Sequence, residues 1–335
     1  MLPSFTGTAS QTLHTLDSLK RTPYVNQWSL GIQKSFTDDL MAEVEYVGST
    51  AQKLPQRRNL NIATMDPTGT IPVASRVPYY GYSTIELSYN GGWSSYNGLT
   101  ARLERRFARG LYFLGSYTWS HAIDLGSTDD TSIFSGQFKK YYKGNGDFDV
   151  RQRFVASYVY ELPFGRGKRF LGSTSRAADV LIGGWQLNGI TTFSTGQYRT
   201  VTLGVDFLNM GSYGTSSLPD LVGNPFAGSS LPHQYLNPAA FAYPMNASGA
   251  LVHRPGTAGR NEFEMPGLNN WDLGVLKNER VGERVTAQFR VEMFNAWNHT
   301  QYGPPALTST SPNFGAIGGT LVTARRIQLG LKVMF

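Results

Sequence analysis

From residue 24 onward the chain alternates apolar and polar side chains with a period of two, and the alternating runs come in pairs. Over 24–36, Tyr24, Trp28, Leu30, Ile32 and Phe36 share one face, and Val25, Gln27, Ser29, Gln33 and Ser35 share the other, as successive residues of a strand must. Thr37, Asp38 and Asp39 supply a tight turn. The run 40–49 then returns with Leu40, Ala42, Val44, Tyr46 and Gly48 opposite Met41, Glu43, Glu45 and Val47. The same reading predicts strands over 96–107, 111–123, 150–162, 185–196, 271–279, 284–297 and 325–335. Tight turns fall at 108–110 and 281–283, and the 163–184 connector has room for a short helix over 176–182. The last strand places Ile327, Leu329, Leu331, Val333 and Phe335 on one face and stops on that terminal aromatic.

The pattern therefore predicts an all-β chain, an antiparallel meander of about nine or more strands in which short turns alternate with long loops. Those loops are expected over 50–95, 124–149, 197–270 and before the last strand. Short turns inside and long loops outside, aromatic strand ends and strands of about ten residues are the signature of a transmembrane β-barrel. Charge placement agrees. On the apolar face charges fall near strand ends (Lys34, Arg105, Lys277, Arg325), whereas Glu43, Glu45, Arg102, Glu104, Arg290 and Glu292 lie mid-strand on the opposite face. Charge is cheap at the interface of a barrel and costly at the midplane of its lipid face. A closed bacterial barrel has an even strand number, so nine clear strands predict either one strand overlooked or an incomplete barrel continued elsewhere, with no plug domain in this chain.

Composition sharpens the picture. Charged residues make up 16% of the chain, below the roughly 25% of a typical soluble domain. No run approaches the length of a membrane-spanning helix, so any membrane crossing uses strands. Cysteine is absent, which removes disulfides and thiolate metal sites. The formal net charge of +7 comes from scattered Lys and Arg with no recognition motif, so no nucleic-acid partner is expected. That charge reads as solvated lumen and loop charge, with anionic lipid headgroups as the alternative. The first 20 residues lack a basic segment followed by an apolar core and do not read as a signal peptide.

Candidate chemistry is sparse. The five histidines lie far apart, without the i, i+4 spacing of a metal site. His121 sits between Ser120 and Asp124 without a nucleophile-elbow motif. Residues 144–149 carry Asp and Asn but not the ligand spacing of an EF-hand. No catalytic residue, metal or cofactor is expected, and a hydrolase ranks last among the functions considered. The first long loop is more informative. Tyr79, Tyr80, Tyr82 and Trp93, with Tyr89, place aromatic surface on an exposed loop that can stack on a ligand such as a glycan, or else pack within the loop.

Several segments together resemble the C-terminal barrel of a TonB-dependent outer-membrane transporter of the Oar-like kind. They are TPYVNQWSLGIQKSF from Thr22, NGLTARLERRFARGLYFLGSYTWSHAID from Asn97, DFDVRQRFVASYVYELPFGRGKRF from Asp147, GGWQLNGITTFSTGQ from Gly183, AQFRVEMFNAWNHTQYGPP from Ala287 and the closing RRIQLGLKVMF. The resemblance spans roughly the chain from residue 22 to its end. It divides the chain into an N-terminal segment or loop, 1–23, and a partial TonB-dependent transporter-like barrel domain, 24–335. It implies a location in the cell outer membrane of a Gram-negative bacterium, a non-enzymatic transport role and a barrel plugged by an N-terminal domain. Implied partners are outer-membrane lipid, the barrel assembly machinery and, through the missing plug and barrel half, the TonB energy-coupling complex. It also implies that the assembly machinery reads Leu329, Leu331, Val333 and Phe335. The departures, with no plug, energy-coupling box or signal sequence recognised here, predict a fragment of a longer protein. The alternative function is a surface-exposed structural or adhesive barrel that binds partners through its long loops.

Overall fold

The structure, a computed structural model, describes residues 11–127, 142–211, 217–281 and 284–335. In chain order its elements are β1 (Gln11–Leu16), β2 (Tyr24–Ser35), β3 (Leu40–Asn59), β4 (Tyr82–Ala108), β5 (Leu111–Asp124), β6 (Gly144–Asn145) and β7 (Gln152–Glu161). There follow α1 (Arg176–Ile182), β8 (Trp185–Ser194), β9 (Tyr198–Arg199), β10 (Asp220–Leu221), β11 (Phe241–Ala242) and β12 (Phe263–Glu264). The chain closes with β13 (Leu268–Val281), β14 (Val285–Phe294) and β15 (Arg326–Met334). The main sheet runs in the order β15-β14-β13-β8-β7-β5-β4-β3-β2, and each neighbouring pair is antiparallel. All nine expected strands are present in one meander. The sheet is not closed, because β2 and β15 lie at its two edges.

The short turns follow from local chemistry. Between β4 and β5, Arg109 (φ 52°) and Gly110 (φ 81°) both occupy the left-handed region, and Ala108 pairs with Leu111 across them. This two-residue geometry matches the right-handed twist of the flanking strands. At the β2–β3 turn the Phe36 amide donates to the Leu40 carbonyl at 2.8 Å. The connector between β7 and β8 carries α1, whose N-cap Ser175 accepts from the Ala178 amide. Residues 282 and 283 of the expected turn at 281–283 lie outside the described residues, as do 128–141 of the second long loop.

Two expectations need correction. Residues 50–95 are not simply a loop, since β3 continues to Asn59 and β4 begins at Tyr82, so that this hairpin projects well beyond β5. The extension carries ladder irregularities at Gln52–Pro55, with Lys53 at φ 56°. Along β4 the extension still alternates, Ile85, Leu87 and Tyr89 against Glu86, Ser88 and Asn90, but its partner stretch 55–59 on β3 is polar throughout apart from Pro55, so the hairpin carries no paired apolar face to announce it. Second, the N-terminal segment contains a strand. β1 pairs parallel with β4, Leu13 opposite Ile85, along the β4 edge that β5 leaves free. Six polar-rich residues give no periodicity long enough to mark it.

Side-chain burial concentrates outside the sheet. The third and fourth loops share a core of Val201, Leu236, Ala258, Phe263, Met265 and Phe314. Phe241 meets Phe263 and Phe314 edge-on, with ring centroids 5.1 and 5.2 Å apart. A smaller cluster joins Ile62 and Met65 of the first loop to Leu208 and Met210 of the third. Loops that would otherwise be independent thus form one packed cap at one end of the sheet.

Candidate functional site

Strand register sorts every side chain of the sheet onto one of two faces. Along one row Ile32 stands opposite Val44, Val44 opposite Ala101, and Ala101 opposite Tyr117. At the other edge Val275 stands opposite Val291, and Val291 opposite Leu329. The resulting apolar belt crosses the whole sheet and is open to its surroundings: Leu30 is 72%, Leu329 66% and Leu331 71% exposed. A contiguous apolar surface of this extent marks a lipid or protein contact.

The belt is edged by aromatic rings. At the loop end Phe154 stacks on Phe193, Phe193 meets Trp271 edge-on at 5.7 Å, and Trp271 meets Trp297 at 6.4 Å. At the turn end stand Phe36, Phe107 and Phe335, all exposed. Charges on this face lie at strand ends, Lys34, Arg105 and Lys277 at the turn end and Arg325 at the loop end, where its amide donates to Asn298 at 3.0 Å. Lys277 donates to the Gly183 carbonyl at 2.6 Å and pairs with Glu279 at 2.9 Å, while Arg105 lies 3.3 Å from Asp39. Thr37 donates to Asp39 and Arg105 stands beside it, which together hold the Asp39 carboxyl below its ordinary value.

The opposite face is polar. Glu43 and Arg102 occupy directly opposed positions on β3 and β4, 3.8 Å apart, and Arg102 also bonds Glu104 at 2.6 Å. Arg290 and Glu292 form a looser pair on β14 at 3.9 Å. An open depression of about 360 Å³ crosses this face between β5 and β14, lined in part by Tyr112, Asn188, Asp272, Glu292 and Phe294. An apolar exterior, a polar interior and aromatic rims are what a barrel wall requires.

The cap is tied to this wall by a polar network at the tops of β5 and β7. Arg260 of the third loop bonds Asp124 at 2.5 Å and lies 3.3 Å from Asp147. Asn261 donates to the Asn145 carbonyl and to Asp147, both at 2.7 Å, and Asn145 donates back to the Asn261 carbonyl at 2.7 Å. Below them the buried Asp149 accepts from the Ala122 amide at 2.7 Å and pairs with Arg151 at 2.7 Å. The carboxylates of 144–149, weighed above as a calcium loop, therefore face arginines and amides. His121 faces Asn145 and Arg151, Asp124 faces Arg260, and Ser120 donates to the Val150 carbonyl. These contacts draw no nucleophile relay. Sequence reasoning missed the network because its members follow no period, and their shared site exists only once residues from 124 to 261 meet.

Elsewhere in the cap, Arg254 grips Asp220 through two bonds of 2.9 and 2.7 Å. Burial raises the Asp220 carboxyl's pKa, but Arg254 together with backbone hydrogen bonds from Thr257 and Met245 outweighs it and holds the group below its ordinary value. Burial, with the nearby Glu264 carboxylate, pushes the Tyr235 phenol up to about 12. Arg76 donates to the carbonyls of Ile71 at 3.0 Å and Asn209 at 2.6 Å, and also to that of Thr64, which joins the first loop to the third.

The tyrosines expected as ligand contacts are held at the tip of the β3–β4 hairpin. Asn61 accepts from the Tyr79 amide at 2.8 Å and donates to the Tyr82 carbonyl at 2.7 Å, leaving Tyr80 89% exposed. Trp93 sits eleven residues along the same strand from Tyr82, about 36 Å away at strand rise. There it faces the Lys143 ammonium at 5.4 Å. The structure therefore brings Tyr79, Tyr80 and Tyr82 together and leaves Trp93 apart.

The sequence over residues 2–328 matches the family profile described as outer membrane beta barrel domain. Among curated proteins no sequence relative is found. The structure is similar to that of the outer membrane transporter YddB from Escherichia coli, with a TM-score of 0.52 and 10% identity, covering 98% of this chain and 34% of that one. The FrpB iron transporter from Neisseria meningitidis (0.42, 11%, 96% and 32%) and FpvA of P. aeruginosa (0.42, 12%, 95% and 29%) also match. The chain spans about a third of the length of these solved structures.

Proposed function

Because the chain belongs to the outer membrane beta barrel domain family, and so to the Gram-negative outer membrane, we propose that it forms part of the wall and outer cap of a TonB-dependent transporter of the Oar-like kind. The observation that carries this reading is the register-defined pair of faces, with a continuous apolar belt on one side and Glu43, Arg102, Glu104, Arg290 and Glu292 on the other. The likeness to the E. coli transporter fold supports it. In this reading 24–335 is the barrel domain, and 1–23 is an outer segment that returns through β1 to brace the projecting hairpin. Tyr79, Tyr80 and Tyr82 offer stacking surface to a ligand arriving from outside. The assembly machinery reads Leu329, Leu331, Val333 and Phe335, the belt contacts outer-membrane lipid, and a plug and further strands link the wall to the TonB complex. The role is transport without covalent chemistry.

A second reading, a structural or adhesive surface protein, is favoured by one observation. The first, third and fourth loops are packed into a cap with its own core, which is more rigid than a permeation path alone demands. Site-specific photo-cross-linking in cells separates the two. Recovery of the energy-coupling protein on the barrel's periplasmic side supports transport. Its absence, together with cap-dependent adhesion of whole cells, supports the second reading.

A further inference from the structure

The connection between β7 and β8 is far longer than reversing the chain requires. Arg109 and Gly110 alone close the β4–β5 turn, whereas residues 162–184 intervene here and fold into a small lobe. The Phe170 amide donates to the Pro163 carbonyl at 3.0 Å, the Gly165 amide donates to the Phe170 carbonyl at 3.1 Å, and the Phe164 and Phe170 rings lie 5.6 Å apart. The Arg166 amide donates to the Asp179 carboxylate at 2.6 Å, which joins this turn to α1. The far end of α1 is fastened to the belt side of the wall. Trp185 and Lys277 stand directly opposite each other on β8 and β13, two residues along from Leu187 and Val275 and so on the same face. The Trp185 indole donates to the Leu181 carbonyl at 2.9 Å and the Lys277 ammonium to the Gly183 carbonyl at 2.6 Å. The lobe therefore borders the apolar belt at its turn end.

Its surface combines two features. Phe164, Phe170, Leu171, Val180 and Leu181 are exposed, Leu181 by 73%. Among them stand Arg166, Lys168, Arg169 and Arg176 against a single carboxylate, Asp179. Lys168 pairs with Glu161 at 3.1 Å, and Arg169 lies over the Phe170 ring at 5.4 Å. Among the described residues the guanidiniums of Arg166, Arg169 and Arg176 meet no carboxylate. We propose, resting on the barrel reading above, that this lobe is an interfacial anchor that binds anionic glycerophospholipid headgroups of the periplasmic leaflet. Apolar side chains mixed with unpaired cations are the composition of an element lying in the plane of a membrane interface. A guanidinium offers a headgroup phosphate a two-pronged fork of donors, and its long stem lets the charge reach the headgroups from an apolar base. An acidic soluble partner would satisfy the arginines too. It would not account for Leu181 standing exposed beside Trp185 at the lip of the belt, whereas the membrane surface takes up both features at once.

The absence of native cysteine allows a single reporter. Leu181→Cys carrying a bimane fluorophore is prepared in the full-length protein, which is reconstituted in zwitterionic vesicles. The vesicles contain increasing fractions of either brominated phosphatidylglycerol or brominated phosphatidylcholine. The measured quantity is the fraction of brominated lipid that gives half-maximal quenching. It should be lower for phosphatidylglycerol, should rise by up to about fivefold for each of Arg166→Gln, Arg169→Gln and Arg176→Gln, and should match that for phosphatidylcholine in the triple variant. Equal quenching by the two lipids in the wild-type background would overturn the proposal, as would a preference that survives in the triple variant. Absence of quenching by either lipid would also overturn it and would assign the lobe to a soluble periplasmic partner. Leu103→Cys with the same fluorophore tests the underlying reading. If neither lipid quenches it, the membrane assignment itself fails. If both quench it while Leu181→Cys shows no preference, only the anchor proposal fails.

Discussion

Arg260 on the third loop donates to Asp124 at the end of β5, Nη1 to Oδ1 at 2.5 Å across 136 residues of sequence. Both side chains are largely buried, with 12% and 13% of their side-chain surface exposed, so this bond fixes where the cap sits on the wall. Removing one member strands the other in a poorly hydrated site. Arg260→Ala is expected to cost about 2–3 kcal/mol of local stability. Arg260→Lys should recover only part of it, because a point charge does not reach Asp124, Ser127 and Asp147 together as the guanidinium does. Hydrogen exchange should show faster opening across 197–211 and 217–267 with unchanged protection in β5 and β7. Equal protection of the loop in wild type and Arg260→Ala would refute the anchoring role.

Opposite faces of one strand give the test of the membrane assignment. Leu103 lies on the apolar belt between Ala42 and Gly115, and Thr100 lies on the polar face between Glu45 and Thr118. Arginine at Leu103 should destabilise the folded protein in lipid by about 2–4 kcal/mol and arginine at Thr100 by much less, since Glu45 stands opposite. Unfolding titrations in lipid vesicles measure both. Equal losses would refute the face assignment.

Acid should loosen one part of the cap before the sheet. Arg254, with backbone hydrogen bonds from Thr257 and Met245, holds the Asp220 carboxyl below its ordinary value against the opposing effect of burial. The unfolded segment thus binds a proton more readily than the folded one. Asp220 therefore contributes stability that is full above the unfolded carboxylate value of about 3.9 and is lost as pH falls through the lower folded value. Exchange at 220–222 and 254–258 should be flat from neutral pH to about pH 5, apart from the intrinsic rate, and should rise below about pH 4. Arg254→Gln should abolish that step and open the segment at neutral pH. An unchanged acid profile in Arg254→Gln would show that the pair does not govern it.

The membrane-spanning part of the fold was legible because a bilayer imposes a rule on every second residue. The runs around Trp28, Leu103, Tyr158 and Leu329 announce their strands and faces without reference to partners. Beyond the belt that rule weakens, because polar residues such as Gln56 and Asn59 take buried positions there. The upper part of the β3–β4 hairpin, with Gln56, Arg57 and Arg58 against Tyr89, Ser88 and Leu87, reads as loop although it forms a continuous ladder. β1 is held by pairing with residues 82–88 and by contacts such as His14 to Glu86 at 3.3 Å, neither of which leaves a local signature. The cap core was invisible for a related reason. Val201, Leu236, Phe263 and Phe314 are isolated apolar residues in Gly-, Pro- and Asn-rich sequence, and they become a core only when segments far apart in the chain meet. The tyrosine turn was legible in part. Exposure of Tyr80 follows from its loop position, but the separation of Trp93 required the length of β4.

Phe335 stands one residue beyond β15 and is 99% exposed. The ladder to β14 ends with Met334 opposite Thr286, so removing Phe335 takes away no pair of the sheet. It also uncovers no buried contact, since its ring touches little of the protein. Deletion is therefore expected to leave the stability of the refolded barrel within about 0.5 kcal/mol of wild type, as for surface changes generally. Any role for the ring must be exercised on something outside the folded chain. An aromatic at the turn end of the apolar belt is suited to the membrane interface and to reading by the assembly machinery, so deletion should lower the amount of folded protein in the outer membrane. Quantifying outer-membrane yield and refolded stability on the same variant separates the two roles. Reduced yield at constant stability supports recognition during assembly. Unchanged yield argues against it, and a parallel loss of stability would mean that the ring packs in the finished barrel.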